Sequence, residues 1–214
     1  FFKPSQAQRF RVRGIRASKP LYFTPYILAG YQEKHDLNEN GTAYKKDKDP
    51  KIEIGGDLKY SISSNLTLDL TANTDFAQVE VDDEQVNLTR FNLFFPEKRQ
   101  FFLERASIFD FQFEDFNRLF YSRRIGIEED DPVRIYGGAR LQGRLAGSDF
   151  GFLSMQTAAT DSLHSENFSM IRLRRQAFNQ YSYVGGIATS RMDFQGKYNS
   201  TYGFDSNVRL FGDD

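Results

Sequence analysis

Two adjacent stretches of this chain alternate apolar and polar residues, and that period of two restricts the fold more than any other feature. Ile52, Ile54, Leu58, Tyr60 and Ile62 are set against Glu53, Gly55, Asp57, Lys59 and Ser61. Leu66, Leu68, Leu70, Ala72 and Phe76 are set against Thr67, Asp69, Thr71, Asn73 and Asp75. Successive side chains of a β-strand point to opposite faces, so each stretch reads as a strand with one apolar and one polar face. The chain turns around Ser63, Ser64 and Asn65. Parity decides the register: with Ile62 opposite Leu66, apolar meets apolar throughout and Lys59 lies opposite Asp69. A one-residue slip would set apolar against polar. The expectation is an antiparallel hairpin with an odd loop. The Lys59–Asp69 pair adds about 0.2–1 kcal/mol, enough to tune the register but not to set it.

The pattern recurs. Val133, Ile135, Ala139, Leu141 and Leu145 share one parity, and Arg134, Tyr136, Arg140, Gln142 and Arg144 the other. Gly147-Ser148 then turns the chain into a run from Phe150 to Thr160. Further runs are Phe168 to Arg175, Tyr181 to Arg191 and Thr201 to Phe211. An aromatic run from Leu21 to Glu33 precedes a polar loop from His35 to Pro50. Leu119 to Ile127 is a weaker strand, because Arg123-Arg124 spoils its alternation. About nine strands result, many near ten residues long.

One segment breaks the rule. From Gln78 to Arg118 the alternation stops for far longer than a hairpin turn allows. Ten of the 22 Phe fall between Phe91 and Phe120, a density that demands burial. Asp82 followed by Gln85 forms a capping box for a short helix near Asp83 to Phe91, and Pro96 interrupts the chain beyond it. The segment reads as an insertion folded back onto the sheet.

Composition narrows the function classes. The absence of Cys excludes disulfides, thiolate metal sites and Cys nucleophiles. A net charge of -1 gives no general attraction to nucleic acid. Mean hydropathy is -0.58, and no apolar run approaches the roughly 18 residues of a membrane helix. Two all-β readings remain: a soluble sandwich whose apolar face meets a core, and a transmembrane barrel whose apolar face meets lipid. Strands near ten residues match the roughly 9–11 that cross a bilayer when tilted. The polar faces carry close-spaced charges of both signs, at Asp57, Lys59, Asp69, Arg134, Arg140, Arg144, Arg172 and Arg174, as in a lumen laced by ion pairs. The lack of Trp weakens the aromatic girdles such barrels carry.

The Phe-rich region carries a resemblance. Asn73-Thr74-Asp75-Phe76-Ala77-Gln78-Val79-Glu80, Gln85-Val86-Asn87-Leu88-Thr89-Arg90-Phe91, Phe94-Phe95-Pro96-Glu97-Lys98-Arg99-Gln100-Phe101-Phe102-Leu103-Glu104 and Leu119-Phe120-Tyr121-Ser122-Arg123-Arg124-Ile125-Gly126 resemble a bacterial family of unknown function. Its members look like outer-membrane β-barrels that follow an N-terminal carbohydrate-binding module of the family-nine type. The motifs span roughly residues 52 to 127. Gln100 stands where that family usually has Pro, and Arg105 where it usually has Gly, which puts the local turn geometry in question. The resemblance implies an address in the bacterial outer membrane, contact with its lipid, and a carbohydrate-binding module before Phe1. It implies no reaction.

The expected organisation is a linker over 1–20, first barrel strands over 21–77, the insertion over 78–118 and further strands over 119–214. Both ends read as cut from a longer protein. Glu97, Lys98, Arg99 and Glu104 sit inside the Phe cluster and form either a ligand-contacting plug or a buried ion-pair network that fixes the insertion to the wall, with Arg123 or Arg124 as partners. The second is favoured, because charges among Phe need partners. The acidic run Glu80, Asp82, Asp83 and Glu84 lacks the spacing of a calcium loop and reads as a solvated turn. His35 and His164 lie in polar loops, and no nucleophile elbow or phosphate-binding motif occurs. The sequence therefore predicts no enzyme, metal or cofactor. It predicts an all-β antiparallel meander forming part of a transmembrane barrel, with an inward-folded Phe-rich insertion. Such a barrel would pass or capture a substrate, a glycan or a partner protein at the cell surface. The competing readings are a sealed barrel serving as anchor or scaffold, and a soluble β-sandwich binding module.

Overall fold

The computed structural model describes residues 19–37, 42, 44–74, 96–113, 117–128, 131–161 and 163–210. The expected helix near 83–91, its capping pair and the acidic run lie outside these residues. In chain order come β1 (Leu21–Leu37), β2 (Tyr44–Ser63) and β3 (Leu66–Thr74), then a helical turn α1 (Gln100–Leu103). Next are four two-residue strands: β4 (Gln112–Phe113), β5 (Asn117–Arg118), β6 (Ile127–Glu128) and β7 (Asp131–Pro132). Last come β8 (Ile135–Leu145), β9 (Ser148–Thr157), β10 (Glu166–Gln176), β11 (Tyr183–Asp193) and β12 (Tyr198–Asn207). The long strands form one eight-stranded antiparallel sheet in the order β1-β2-β3-β8-β9-β10-β11-β12. It is a meander whose only long excursion lies between β3 and β8. The sheet is not closed into a barrel, and β1 and β12 are its edges.

The expected register holds along β2 and β3, with Leu58 opposite Leu70, Lys59 opposite Asp69 and Tyr60 opposite Leu68. The loop differs. A bulge between Ser61 and Ser63 brings Ser63 opposite Leu66, leaving a two-residue turn at Ser64-Asn65. The extra residue is absorbed in the strand instead of in the loop. The polar stretch from His35 to Pro50 is mostly strand: β1 runs on to Leu37 and β2 begins at Tyr44. Glu33 pairs with Lys46 at 2.7 Å across that extension, so cross-strand charges replace apolar pairing there. Leu119 to Ile127 is no strand. Ser122–Arg124 forms a 3₁₀ turn that aims Arg123 at the Pro96 carbonyl, 3.1 Å away. Removing it reduces the expected nine long strands to eight.

A second bulge corrects the pattern of β8. The register shifts between Ile135 and Gly137, opposite Asn73, whose φ of 52° is left-handed. Asn73 tolerates that conformation because its side chain and carbonyl find local partners. Its Nδ2 donates to the Ile54 carbonyl at 2.7 Å, and its own carbonyl accepts from the Tyr26 hydroxyl at 2.7 Å. Ile135 is thereby turned onto the face that carries Arg140 and is fully buried, whereas Tyr136 is exposed.

The two faces of the sheet differ in what covers them. On one face lie Asp57, Lys59, Asp69, Arg140, Gln142 and Arg172, and the segment from Pro96 to Ile125 covers it. Arg140 and Arg172 are each 2 % exposed and Gln142 0 %. The apolar core lies in that layer: Phe102, Phe109, Phe111 and Ile125 of the insertion meet Ile135, Leu153, Met155, Met170 and Ile187 of the sheet. Two glycines open sockets for it. A Cβ on Gly151 would lie 2.8 Å from Ile108 and from Phe109, and one on Gly203 2.7 Å from Phe111 and 2.6 Å from Leu119.

The opposite face is bare and apolar. The pairings align Leu21, Tyr60, Leu68, Leu141, Phe152, Ile171, Ala188 and Tyr202 in one row across all eight strands. Ile27, Ile52 and Phe204 on this face are 74 %, 76 % and 90 % exposed. The apolar band ends at different heights. On β1 it reaches Tyr31, ten residues beyond Leu21. On β9 and β10 it stops at Phe152 and Ile171, and beyond them Ser154, Gln156, Asn167 and Ser169 hydrogen-bond to one another.

Candidate functional site

The covered face and the insertion above it form the chain's one dense group of buried charges among the described residues. The charges sit in two layers. In the sheet, β2, β3 and β8 bring Lys59, Asp69 and Arg140 into one cross-strand row. Arg140 donates through Nε and Nη2 to Asp69 Oδ2 at 3.1 and 2.9 Å. Its Nη1 donates to the carbonyls of Phe101 and Glu104, and its plane lies 4.7 Å over the Phe101 ring. The Glu104 carboxylate accepts from Lys59 and lies 3.6 Å from Arg140. With its amide turned so that nitrogen donates to the Glu104 carbonyl (3.1 Å), Gln142 accepts from Arg140. Glu104 thus binds the insertion to the wall.

The second layer lies within the insertion. Arg99 donates through Nε and Nη2 to the two Glu97 carboxylate oxygens, each at 2.8 Å, and reaches the carbonyls of Ile125 (2.6 Å) and Ser122 (2.7 Å). It stacks 4.3 Å over Phe102. Glu97 also accepts from the Ser122 hydroxyl at 2.7 Å. Burial alone would raise the Glu97 pKa; the Arg99 hydrogen bonds and charge, with Ser122, outweigh it and hold the carboxyl below its ordinary value of 4.5. A depressed carboxylate stabilises the fold above its unfolded-state pKa, and the stabilisation is lost as pH falls through the folded-state value. The insertion is therefore expected to loosen below about pH 4.5, and Glu97→Gln should flatten that acid limb. Denaturation midpoints between pH 3 and 7 measure both.

The expected site residues are thus divided. Glu97 and Arg99 pair with each other, and Glu104 pairs with Lys59 and Arg140. Lys98 is half-buried and its backbone N–H donates to Glu97. Arg123 is buried against Pro96, and Arg124 is exposed. Neither arginine pairs with Glu97 or Glu104. Among the lumen-facing candidates, Asp57, Lys59, Asp69 and Arg140 lie on the covered face. Arg144 lies at its margin, 3.2 Å from Asp149. Arg134 stands apart: it is exposed, donates to Asn73 Oδ1 at 2.7 Å and lies over Tyr136. The bulge opposite Asn73 is the reason.

Arg172 and Arg174, expected among the lumen-facing charges, find acidic partners that the sequence did not single out. Arg172 makes a two-pronged pair with Asp205 at 2.7 and 2.6 Å and lies 5.1 Å over Phe111. Asp149 is shared between Arg144 and Arg174. Parity along β9, β10 and β12 is the signal that places them on the covered face.

Positions 100 and 105 take their geometry from this layer. Gln100 opens α1, the first helical position, where Pro also fits because the N–H has no helical partner. Arg105 has φ 49° and ψ 33°, a left-handed conformation that glycine adopts without strain. Arg105→Gly is expected to raise the unfolding free energy by about 1 kcal/mol, read by chemical denaturation.

A family model described as a domain of unknown function, DUF5916, matches residues 18–136, more than half of the chain. The chain belongs to the DUF5916 family. No curated protein and no solved structure matches it. The DUF5916 match takes in β1 to β3, the insertion and the start of β8. It therefore contains Lys59, Asp69, Glu97, Arg99 and Glu104, and it stops short of Arg140. The buried network joins the DUF5916 segment to the strands beyond it.

Proposed function

We propose that this sheet is part of the wall of a bacterial outer-membrane β-barrel, and that the insertion is a plug governing passage of a small polar substrate through its lumen. One observation carries the reading: the sheet buries its charged face and leaves its apolar face bare. Water would favour the reverse by about 25 cal/mol per Å² of apolar surface. Lipid on the bare face and the plug on the charged one satisfy both. The apolar band also slants between β1 and β10, although Met192 and Tyr198 carry it up again on β11 and β12. Its upper edge drops ten residues over the five strand steps from β1 to β10. At about 3.3 Å per residue and about 4.8 Å between strands, a level band over these strands needs a tilt of about 54°, steeper than the 35–45° of such barrels. The Ser154, Gln156, Asn167 and Ser169 cluster would lie at the headgroup level. A closed wall needs β1 and β12 to meet each other or strands outside them.

The plug is anchored by Glu104 on Lys59 and Arg140, so passage requires that contact to open. Planar-bilayer recordings of the full-length protein test the reading. Small or rare conductance is expected for the native protein, with more frequent openings for Glu104→Gln. No conductance from either protein, although both insert, would favour the sealed anchor or scaffold. Monodisperse behaviour in buffer without detergent, with no insertion into vesicles, would overturn the membrane reading in favour of a soluble sandwich. The glycan expectation rests on the resemblance alone.

A further inference from the structure

We propose that the pocket beside β4 and β5 binds a small zwitterion of the α-amino-acid type, with one ammonium, one carboxylate and an apolar body. The proposal rests on the plug reading and names the class of solute the plug would select. The pocket has a volume of about 280 Å³, and its walls include Phe102, Phe109, Phe120 and Tyr121. That volume suits a single metabolite-sized molecule.

Two charges of opposite sign, Asp110 and Arg118, also line it. Neighbouring charges on the same wall are used inside the protein: Glu97 by Arg99 and Ser122, and Arg140 by Asp69 and the insertion carbonyls. The exposed side chains of Asp110 and Arg118 have no hydrogen bond or ion pair among the described residues, not even with each other. The local ladder explains this. Gln112 lies opposite Arg118, and the Leu119 N–H donates to the Phe111 carbonyl at 3.4 Å. Continued by one step, that ladder sets Asp110 diagonal to Arg118, on the same side of the hairpin. Diagonal positions are about 7–8 Å apart at the backbone, so both groups lie within reach of one small molecule in the pocket.

A ligand with both charges completes the site. Its ammonium donates to Asp110, its carboxylate accepts two bonds from the Arg118 fork, and its apolar body lies against the rings. A neutral sugar could hydrogen-bond to both groups through its hydroxyls but would neutralise neither charge. The alternate parity, Phe111 and Leu119, is committed to the Gly203 socket, so the hairpin presents its charged side to the pocket for a packing reason.

Calorimetric titration of the full-length protein in detergent micelles tests this, with L-leucine, N-acetyl-leucine, leucine methyl ester and glucose as probes. Leucine is expected to bind at least tenfold more tightly than either capped form and than glucose. Asp110→Asn should erase the preference over N-acetyl-leucine, and Arg118→Gln the preference over the methyl ester. Both residues are exposed, so neither variant removes core packing. Equal binding of the capped forms, preference for glucose, or no leucine binding at millimolar concentration overturns the proposal. Micelle titration does not depend on membrane insertion. Leucine binding without insertion would leave this site standing and remove the barrel reading; conductance without leucine binding would do the reverse.

Discussion

Arg140→Ala is expected to lower the unfolding free energy by about 3–5 kcal/mol. The guanidinium joins three things: the Asp69 carboxylate on the wall, the Phe101 and Glu104 carbonyls of the insertion, and the Phe101 ring. Its removal strands a buried carboxylate whose next cation, Lys59 Nζ, is 3.9 Å away and shared with Glu104. Replacing the pair together should cost much less. In Asp69→Leu/Arg140→Met no buried charge is left alone, and Lys59 keeps Glu104. Equilibrium denaturation of the single and double variants measures the difference. A double variant as unstable as Arg140→Ala would mean that the arginine contributes through its insertion contacts and not through Asp69.

Gly151→Val is expected to cost about 3 kcal/mol and to lift part of the insertion from the sheet. The new Cβ would occupy space now held by Ile108 and Phe109, 2.8 Å from each. Phe109 is 6 % exposed, and moving it toward the neighbouring pocket would give up its packing on Gly151. Gly186→Val supplies the control. Gly186 lies on the bare face, where an added Cβ meets Phe204 at an ordinary 3.4 Å. Both substitutions favour a strand equally, so only packing separates them. Trypsin should cut the Gly151→Val protein faster at Arg105 and Arg118, while the Gly186→Val protein should resemble the parent.

Strand identity was legible because one rule, alternation, acts at every residue of β2, β3 and β8. The Lys59–Asp69 match followed from parity alone. What escaped were places where a single residue breaks parity. Ile62 is absorbed as a bulge, and the bulge opposite Asn73 moves Ile135 inward and Arg134 outward. A bulge depends on local partners such as Ile54, Tyr26 and Arg134 that lie far away in sequence. The extended β1–β2 pairing escaped for another reason. Its residues 33 to 48 look like a loop by hydropathy, yet charge pairs such as Glu33–Lys46 support strand pairing as well as apolar ones do. The buried layer was half legible. Charges among Phe called for partners, and Glu97, Arg99 and Glu104 found them. The choice of Lys59 and Arg140, and not Arg123 or Arg124, depends on which wall positions lie beneath the insertion. Asp205 and Asp149 carry no local signal and gain meaning only from the cross-strand register.

The long excursion between β3 and β8 bears on how the sheet is assembled in time. Every other neighbouring pair of long strands is joined by a short connection, and the Ser64-Asn65 and Ala146-Gly147 turns have only two residues. Those hairpins can close within about 1–10 μs. The β3–β8 pair must first bring together ends some 60 residues apart, at an entropic cost of about 3.6 kcal/mol from chain length alone. The β1–β3 and β8–β12 units are therefore expected to form first and the seam between them last. Asp69 and Arg140 face each other across that seam. Their bond is made only when both units and the insertion have come together, which makes it a late folding event that governs how slowly the finished sheet comes apart.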